Sequence, residues 1–261
     1  MTELELMAHR LNSYSQIENL MSLHAYYHAS VQNREELLNC WATTRQDEIV
    51  WSQNFGRWVG MDHLMPLYGN DNWYPTGLSL KAQIAEAHPE IAEEIYNLDG
   101  RSLTEMPVHV LASPIIEIAE DGMHARGVWY TPGFALRHDF INGGASVMWM
   151  WEKYGADFIY ENGEWRFLHL LICMDMVAGA DNGDWTKPAP QMGPPPEEKE
   201  EEPEKNEDGT PKKAKSPAMG GGVNVPADEP GRYKNYSATR IPTEMPPIPR
   251  PYKNEADSVS Y

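Results

Sequence analysis

Residues 106–130 read MPVHVLASPIIEIAEDGMHARGVWY, and residues 145–176 read ASVMWMWEKYGADFIYENGEWRFLHLLICMDM. Both stretches contain long runs of the β-branched and aromatic residues that strands favour. Their His, Tyr and Trp residues recur at the two-residue period that places alternate side chains on one face of a sheet. A sheet that had only to be stable would carry aliphatic side chains there, so the pattern predicts that one face lines a pocket.

Two turn sequences divide these stretches into strands. Residues 120–122 (EDG) and 161–163 (ENG) have the composition of hairpin turns, because glycine readily adopts positive φ. The four predicted strands cover residues 107–118, 123–131, 145–160 and 165–176. Helical patterns precede the strands and do not alternate with them, which predicts an α+β fold with an antiparallel sheet.

Helical periodicity dominates the chain before these strands. Ser15 and Glu18 match a capping box, which predicts that a helix begins there and continues to about Asn33. Four further elements are predicted downstream: a helix at 34–41, a strand within 48–59, a short helix at 63–69 and a helix at 79–97.

Composition divides the chain into three parts. Residues 1–186 have the apolar content of one folded domain. Residues 187–230 are dominated by Pro, Glu, Lys and Gly, with eight acids against two lysines between positions 197 and 208, and this predicts an acidic, Pro-rich disordered linker. Residues 231–261 again contain Tyr, Ile and Met, and we interpret them as an extended arm that docks on this domain or on a neighbouring subunit.

The formal charge of −18 narrows the range of partners. Nucleic acids and anionic membranes both require a basic face, so neither is predicted as a partner. The sequence has no apolar run long enough to cross a bilayer, and its start lacks the pattern of a signal peptide. Two cysteines without C-x-x-C spacing do not form a disulfide framework. We therefore expect a soluble cytoplasmic protein.

Three segments together resemble a known family. They are IENLMSLHAYYH (17–28) followed by REELLNCW (34–41), VHVLASPIIEIAEDGMHARG (108–127) and KYGADFIYENGEWRFLH (153–169). In this order they are similar to the opening helix pair, the central hairpin and the closing hairpin of the SnoaL-like members of the NTF2-like superfamily. The resemblance covers about residues 13–176.

The resemblance implies a cone-shaped α+β barrel, in which a curved antiparallel sheet wraps around the N-terminal helices and encloses a pocket. Family members include dehydratases, polyketide cyclases, ketosteroid isomerase and formaldehyde-releasing lyases, and others have no catalytic activity. The resemblance further implies a hydrophobic small-molecule substrate, no cofactor, and a homodimer or larger homo-oligomer. Fold alone does not choose among these activities.

Two histidines are candidates for proton transfer. His109 matches the histidine that serves as acid and base in the dehydratases, and an imidazole suits proton transfer near neutral pH. His169 lies in the last predicted strand, where the two-residue period groups it with Trp165, Phe167 and Asp175 on a mixed face that fits a pocket wall. The alternative for either one is a structural histidine that bonds the backbone.

Tyr26 is the third catalytic candidate. It matches the first-helix tyrosine of the dehydratases, whose phenol bonds a substrate oxygen. Helical spacing instead favours Tyr27 as the residue that faces the pocket, and both alternatives remain open. The family pattern places an aspartate five residues after this tyrosine, where this chain has Val31 or Gln32. The acid of the dehydratase mechanism is therefore missing from the helix.

Other residues are predicted to line the pocket without reacting. They are Tyr27, His24, Trp129, Trp149, Trp151 and Tyr154, and the alternative for each is a place in the ordinary core. His24 and His28 also have the i, i+4 spacing of metal ligands, but neither an H-E-x-x-H motif nor a third ligand accompanies them, so no metal is predicted.

These patterns favour a cofactor-independent lyase for a hydrophobic, oxygenated aromatic or polycyclic substrate. A histidine would move the proton while a tyrosine polarises the substrate, leading to loss of water or to retro-aldol cleavage that releases formaldehyde. The alternatives are a ketosteroid-type isomerase and a non-catalytic small-molecule-binding protein. A role in assembly, suggested by the Pro-rich tail, is a further alternative.

Overall fold

The computed structural model describes residues 2–102, 105–138, 144–179, 225–236, 239–240, 243–257 and 260–261. The α-helices in these ranges are α1 (Glu3–Ala29), α2 (Asn33–Cys40), α3 (Met61–Leu67), α4 (Tyr74–Ala87) and α5 (Ala92–Asn97). The strands are β1 (Val50–Gln53), β2 (Gly56–Val59), β3 (Glu105–His109), β4 (Ala112–Ile118), β5 (His124–His138), β6 (Ala145–Glu161) and β7 (Glu164–Gly179). None of the helices so described is long and apolar enough to cross a membrane.

Helix α1 begins earlier than predicted. Its capping box is formed by Thr2 and Glu5: the Glu5 backbone N donates to Thr2 Oγ1 at 3.3 Å, and the Thr2 backbone N donates to Glu5 Oε2 at 2.7 Å. Ser15, the predicted cap, lies inside the helix and donates to the Asn12 carbonyl at 3.0 Å. Both sites match the sequence pattern, and only the first has the free backbone N–H groups of a helix end.

The strands form one open, curved sheet in the order β2-β1-β7-β6-β5-β3, with β4 also paired to β5. Strands β5, β6 and β7 are the predicted antiparallel meander, and β1 extends it by pairing parallel to β7. The predicted strand 107–118 is in fact β3 and β4, which pair with successive parts of β5. The predicted α+β fold with a curved sheet is thus confirmed.

One face of the sheet, here called the inner face, packs against helices α1 and α2. Its largest fully buried side chains include Tyr154, Phe158 and Leu170, and they form one apolar core with Ile17 and Leu37 from the helices. This core excludes water from the polar side chains that point inward from β3, β5 and β6. The pKa values of these side chains therefore depend strongly on their immediate neighbours.

A β-bulge changes which side chains of β7 face inward. Asp157 pairs with His169 and Phe158 pairs with Phe167, so Leu168 is the extra residue of the bulge. After the bulge, the residues that join the main core are Leu170, Ile172, Met174 and Val177. The expectation that one face carries Phe167 and His169 together is therefore wrong, because the period of two does not continue through the bulge.

The other side of the sheet, the outer face, is partly covered by the described residues of 225–261, here called the arm. Tyr233 and Tyr261 form a second apolar cluster with Val128, Leu171 and Cys173. The arm is in contact from Val225, whose carbonyl accepts from Trp58 Nε1 at 3.0 Å. The predicted linker 187–230 therefore includes residues that contact the domain, and its residues 187–224 lie outside the described ranges.

A buried histidine and carboxylate cluster as candidate active site

His109 lies at the end of β3 with its side chain on the inner face. Strand pairing places it opposite Gly133 of β5, and its side chain is only 3% exposed. The ring hydrogen-bonds the Thr131 backbone, and its Nδ1 lies 3.3 Å from Glu152 Oε2. Burial, together with the nearby rings of His28 and His24, lowers the pKa of His109 well below its usual value. A neutral imidazole at physiological pH is the result.

Glu152 is the carboxyl group that faces His109. Its side chain is 2% exposed, and burial raises its pKa to about 8, although Tyr154 hydrogen-bonds it and opposes the shift. The pKa of Glu152 rises while that of His109 falls, so the 3.3 Å contact joins a neutral acid to a neutral base. Glu152 was not predicted from the sequence, although a two-residue period from Met150 to Tyr154 places it on the inner face.

Three buried polar atoms in this part of the site have no hydrogen-bond partner within the described ranges: His109 Nδ1, Glu152 Oε2 and Thr131 Oγ1. Thr131 pairs directly with Glu152 across β5 and β6, so the three groups are neighbours. Buried polar atoms are nearly always satisfied in folded proteins, and an exception calls for an explanation. A hydroxyl or carbonyl group of a ligand has the hydrogen-bonding capacity to satisfy them.

Glu36 of α2 is a second buried carboxyl group, and its pKa shifts in the direction opposite to that of Glu152. Its oxygens accept from His24 Nδ1 at 3.0 Å, Trp41 Nε1 at 2.9 Å and the Tyr68 hydroxyl at 2.6 Å. Burial alone would raise the pKa of Glu36, but these donors outweigh it and the pKa is lowered. Glu36 is therefore ionised and saturated with donors, which suits it to hold His24 and Tyr68 in place.

His28 connects the two carboxyl groups through stacked rings. Its ring centroid lies 5.3 Å from that of His109 and 5.7 Å from that of His24. Its Nδ1 contacts Asn33 Oδ1 at 3.1 Å, and burial, reinforced by His24, lowers the pKa of His28 to about 4. His28 and His109 at the centre of the site are consequently neutral, and they lie between an ionised acid, Glu36, and a protonated acid, Glu152.

The family of this domain follows from a comparison with known families. A SnoaL-like domain matches residues 9–170, which is more than half of the chain. The chain belongs to the SnoaL-like family. The match includes most of α1 together with His109 and Glu152, and it confirms the resemblance seen in the sequence. Among curated proteins, none matches this SnoaL-like chain.

Solved structures are similar to this chain at low sequence identity. A type 2 hexachlorocyclohexane dehydrochlorinase (LinA) has a TM-score of 0.45 and 15% identity, over 69% of this SnoaL-like chain and 97% of its own. LinA type 3 from Novosphingobium barchaimii has a TM-score of 0.44 and 16% identity, over 70% and 99%. ActVI-ORFA from Streptomyces coelicolor has a TM-score of 0.38 and 6% identity, over 63% and 98%. Likeness at this distance says nothing about activity.

The structure separates Tyr26 from the cluster. Tyr26 is 80% exposed on α1, whereas Tyr27 packs against the core and its hydroxyl lies 3.5 Å from Asn39 Nδ2. Of the two, helical spacing correctly identified Tyr27 as the inward-facing one. The tyrosine next to His109 is Tyr154, whose ring centroid lies 5.8 Å away. The prediction that Tyr26 is a catalytic residue beside His109 is therefore corrected, because Tyr26 lies on the exposed surface and Tyr154 occupies that position.

The predicted tryptophan walls divide between the two faces of the sheet. Trp129 is buried on the inner face, where it packs edge-on against Phe158 at 6.1 Å. Trp149 and Trp151 lie on the outer face, 43% and 46% exposed, because β6 pairs them with Phe134 and Pro132, whose side chains are on that face. They cannot line a pocket that contains His109, so the prediction is corrected for this pair.

His169 also lies on the outer face of this SnoaL-like domain. Its Nδ1 is 2.8 Å from Asp157 Oδ2 and 2.6 Å from the Ser260 hydroxyl of the arm. Asp157 in addition accepts from Arg126 Nε at 2.7 Å and from the Tyr261 backbone N at 2.9 Å. Although burial opposes it, this set of partners lowers the pKa of Asp157. His169 therefore helps to hold the arm, and the sheet separates it from His109.

The described ranges contain no group of three or more His, Cys, Asp or Glu residues arranged to hold a metal ion. His24 and His28 have the spacing of metal ligands, but their rings stack with an angle of 8° between the planes. Parallel rings direct their nitrogens sideways and not towards a common point, and His24 Nδ1 already contacts Glu36.

Proposed function

We propose that this SnoaL-like protein is a cofactor-independent lyase that removes water from a hydrophobic, oxygenated aromatic or polycyclic substrate. In this proposal His109 is the general base, Glu152 is the general acid and Thr131 orients the substrate oxygen. The observation that carries the proposal is the set of three unpartnered buried atoms on these residues. Environments that shift the pKa values of neighbouring groups in opposite directions are the physical basis for assigning an acid and a base.

The reaction uses the protonation states already present. His109 Nδ1 removes a proton from the carbon beside a substrate carbonyl, and the electron pair forms a double bond as the neighbouring C–O bond breaks. Glu152 donates its proton to the departing oxygen, which leaves as water. His109 is then protonated and Glu152 ionised. Their separation of 3.3 Å allows the proton to pass back and restore the starting state.

The position of Glu152 also favours elimination of water over the other lyase reaction. A departing hydroxide needs a proton donor, whereas a retro-aldol cleavage needs first a base for the hydroxyl proton. A carboxylic acid with a pKa of about 8 is a donor at neutral pH. Glu152, on the sheet, thereby supplies the acid whose counterpart is missing from α1.

The apolar surroundings support the assigned substrate class. Tyr154, Phe158 and Phe167 lie around the polar groups on the inner face, and each is at most 1% exposed. A developing enolate in such surroundings depends on fixed donors, since water is excluded. A hydrophobic substrate with few, well-placed oxygens matches this environment better than a highly polar one.

The test compares His109→Gln and Glu152→Gln with Tyr26→Phe as the control on exposed helix surface. A panel of aromatic β-hydroxy ketones is followed by the absorbance of the conjugated product. We expect either site variant to lose roughly 10²–10⁴-fold in kcat, and the control to retain it. Turnover that survives both site substitutions would refute the assignment. Binding of the panel without turnover by the wild type would support the non-catalytic alternative instead.

A further inference from the structure

A cavity lies between the outer face of the sheet and the arm, on the side of the sheet opposite His109. Its volume is about 250 Å³. Strands β6 and β7 contribute Trp151, Lys153 and Asp175, and the arm contributes Tyr233, Tyr236 and Arg240. This volume is slightly below the usual range for ligand sites and suits a molecule of about one ring.

The cavity carries positive charge in an otherwise acidic protein. Lys153 Nζ and the Arg240 guanidinium lie over the ring of Tyr233, at 5.3 and 4.1 Å from its centroid. Among the described residues that line the cavity, the one carboxylate is that of Asp175, which lies 3.4 Å from Lys153 Nζ and accepts from the Tyr233 hydroxyl. Asp175 therefore offsets Lys153, and the charge of Arg240 remains. A lining of this kind attracts an anion and disfavours a cation.

Arg240 also has spare hydrogen-bonding capacity. Its Nη1 is shielded from solvent and has no hydrogen-bond partner within the described part of the chain. A guanidinium presents its donors in a planar fork that matches the two oxygens of a carboxylate. A carboxylate in the cavity would add a charge-assisted bond to the Arg240 guanidinium.

Flat aromatic side chains also line the cavity. Trp151 and Tyr236 are 46% and 53% exposed, although both border the cavity. Half-exposed aromatic rings beside a cation bind planar ligands well, because a ring can stack on them while a polar group reaches the charge.

We propose that this cavity is a second binding site, which takes a small aromatic carboxylate. The carboxylate bonds Arg240, with Lys153 adding to the positive potential, and the ring packs against Trp151 and Tyr236. Since one half of the lining comes from the sheet and the other from the arm, the bound ligand also fastens the arm to the domain.

The probe is benzoate, titrated calorimetrically into the full chain, with benzyl alcohol as its uncharged counterpart. We expect benzoate to bind at least about tenfold more tightly than benzyl alcohol, because a charge-assisted bond is lost with the carboxylate. Arg240→Gln should weaken benzoate at least about tenfold, whereas Arg232→Gln, at an exposed arm residue paired with Glu229, should not.

A second variant, Trp151→Ser, keeps the test valid if Arg240→Gln releases the arm. It removes a wall on the sheet, and it should weaken benzoate as well while leaving the melting temperature close to that of the wild type. Any of three results would overturn the proposal. Benzyl alcohol could bind as tightly as benzoate, benzoate could fail to bind at millimolar concentration, or the Arg240→Gln variant could bind benzoate as the wild type does. Benzoate binding that is lost in His109→Gln and kept in Arg240→Gln would place the ligand in the buried cluster and overturn it too.

Discussion

Glu36 and Glu152 show how the same side chain takes opposite roles under burial. Glu36 receives three donors and remains ionised, whereas Glu152 faces a neutral imidazole and keeps its proton. Desolvation acts on both in the same direction, so the difference comes from the number of donors that reach each one. A buried acid that receives too few donors to offset its burial is a source of protons at neutral pH.

This difference predicts a pH-dependent stability. The pKa of Glu152 is raised from its usual 4.5 to about 8 on folding, so its protonated form favours the folded state. Its contribution is complete below pH 4.5 and is lost as the pH rises to about 8. Between pH 5 and 8, the free energy of unfolding of the wild type should fall relative to Glu152→Gln by roughly 3 kcal/mol, as urea denaturation would measure.

Glu36→Gln is the matched control for that measurement. The pKa of Glu36 is lowered on folding, so its ionised form stabilises the protein above its unfolded pKa and this contribution is lost on acidification. The variant should be less stable than the wild type by a difference that stays constant between pH 5 and 8. A constant difference for Glu152→Gln as well would show that Glu152 is not protonated in the folded protein.

Among the strands, β5 depends on one glycine next to the site. A Cβ on Gly133 would lie 1.9 Å from the Val108 carbonyl oxygen of β3, and a backbone atom cannot move aside as a flexible side chain can. Because Gly133 pairs with His109, the same shift would displace the proposed base. The absence of a side chain is thus a requirement of the β3–β5 pairing.

We expect Gly133→Ala to lower the free energy of unfolding by roughly 1–3 kcal/mol and to reduce activity together with Tm. Gly144→Ala is the control, since a Cβ there meets no atom within 4 Å. Thermal unfolding of the two variants provides the comparison. A Gly133→Ala protein as stable as its control would mean that β3 pairs with β5 less closely than the structure indicates.

Sequence periodicity predicted the elements well where a regular pattern persists. The order of the helices and strands and the two hairpin turns follow from spacing alone, whereas the start of α1 does not. Spacing does not predict the face of the sheet on which His169 lies, because one extra residue at the bulge reverses the faces after it. Glu36 and His28 were not recognised as partners of the site, since their role depends on contacts between α1, α2 and the loop after α3, which spacing does not reveal.

In the described part of the chain, one sheet is covered by different elements on its inner and outer faces. Helices cover the inner face and exclude water from the candidate active site, while the arm covers part of the outer face and encloses a separate cavity. Tyr233, Tyr252 and Tyr261 of the arm are each at most 9% exposed. Burial of this extent makes the arm a contributor to the stability of the domain.

Removal of residues 225–261 should therefore destabilise the domain. Burial of each large side chain is worth roughly 1.5–3 kcal/mol, so we expect a clear fall in the free energy of unfolding. The uncovered outer face should also increase self-association, measured by sedimentation velocity. A homodimer or larger assembly of the full chain stays a prediction, and the same experiment on the full chain measures it. A truncated protein as stable and as monodisperse as the full chain would contradict the role given to the arm.

The three residues that hold the end of the arm on the domain would be misidentified by an active-site search that compares residue types alone. Ser260, His169 and Asp157 lie within 3.0 Å of one another and are the three residue types of a serine hydrolase triad. In such a triad the histidine stands between the other two and uses one ring nitrogen for each. Here the serine and the aspartate both reach Nδ1, so no proton relay connects them. A search template that ignores which ring nitrogen of the histidine is bonded would identify an esterase site, although these residues hold the arm on the domain.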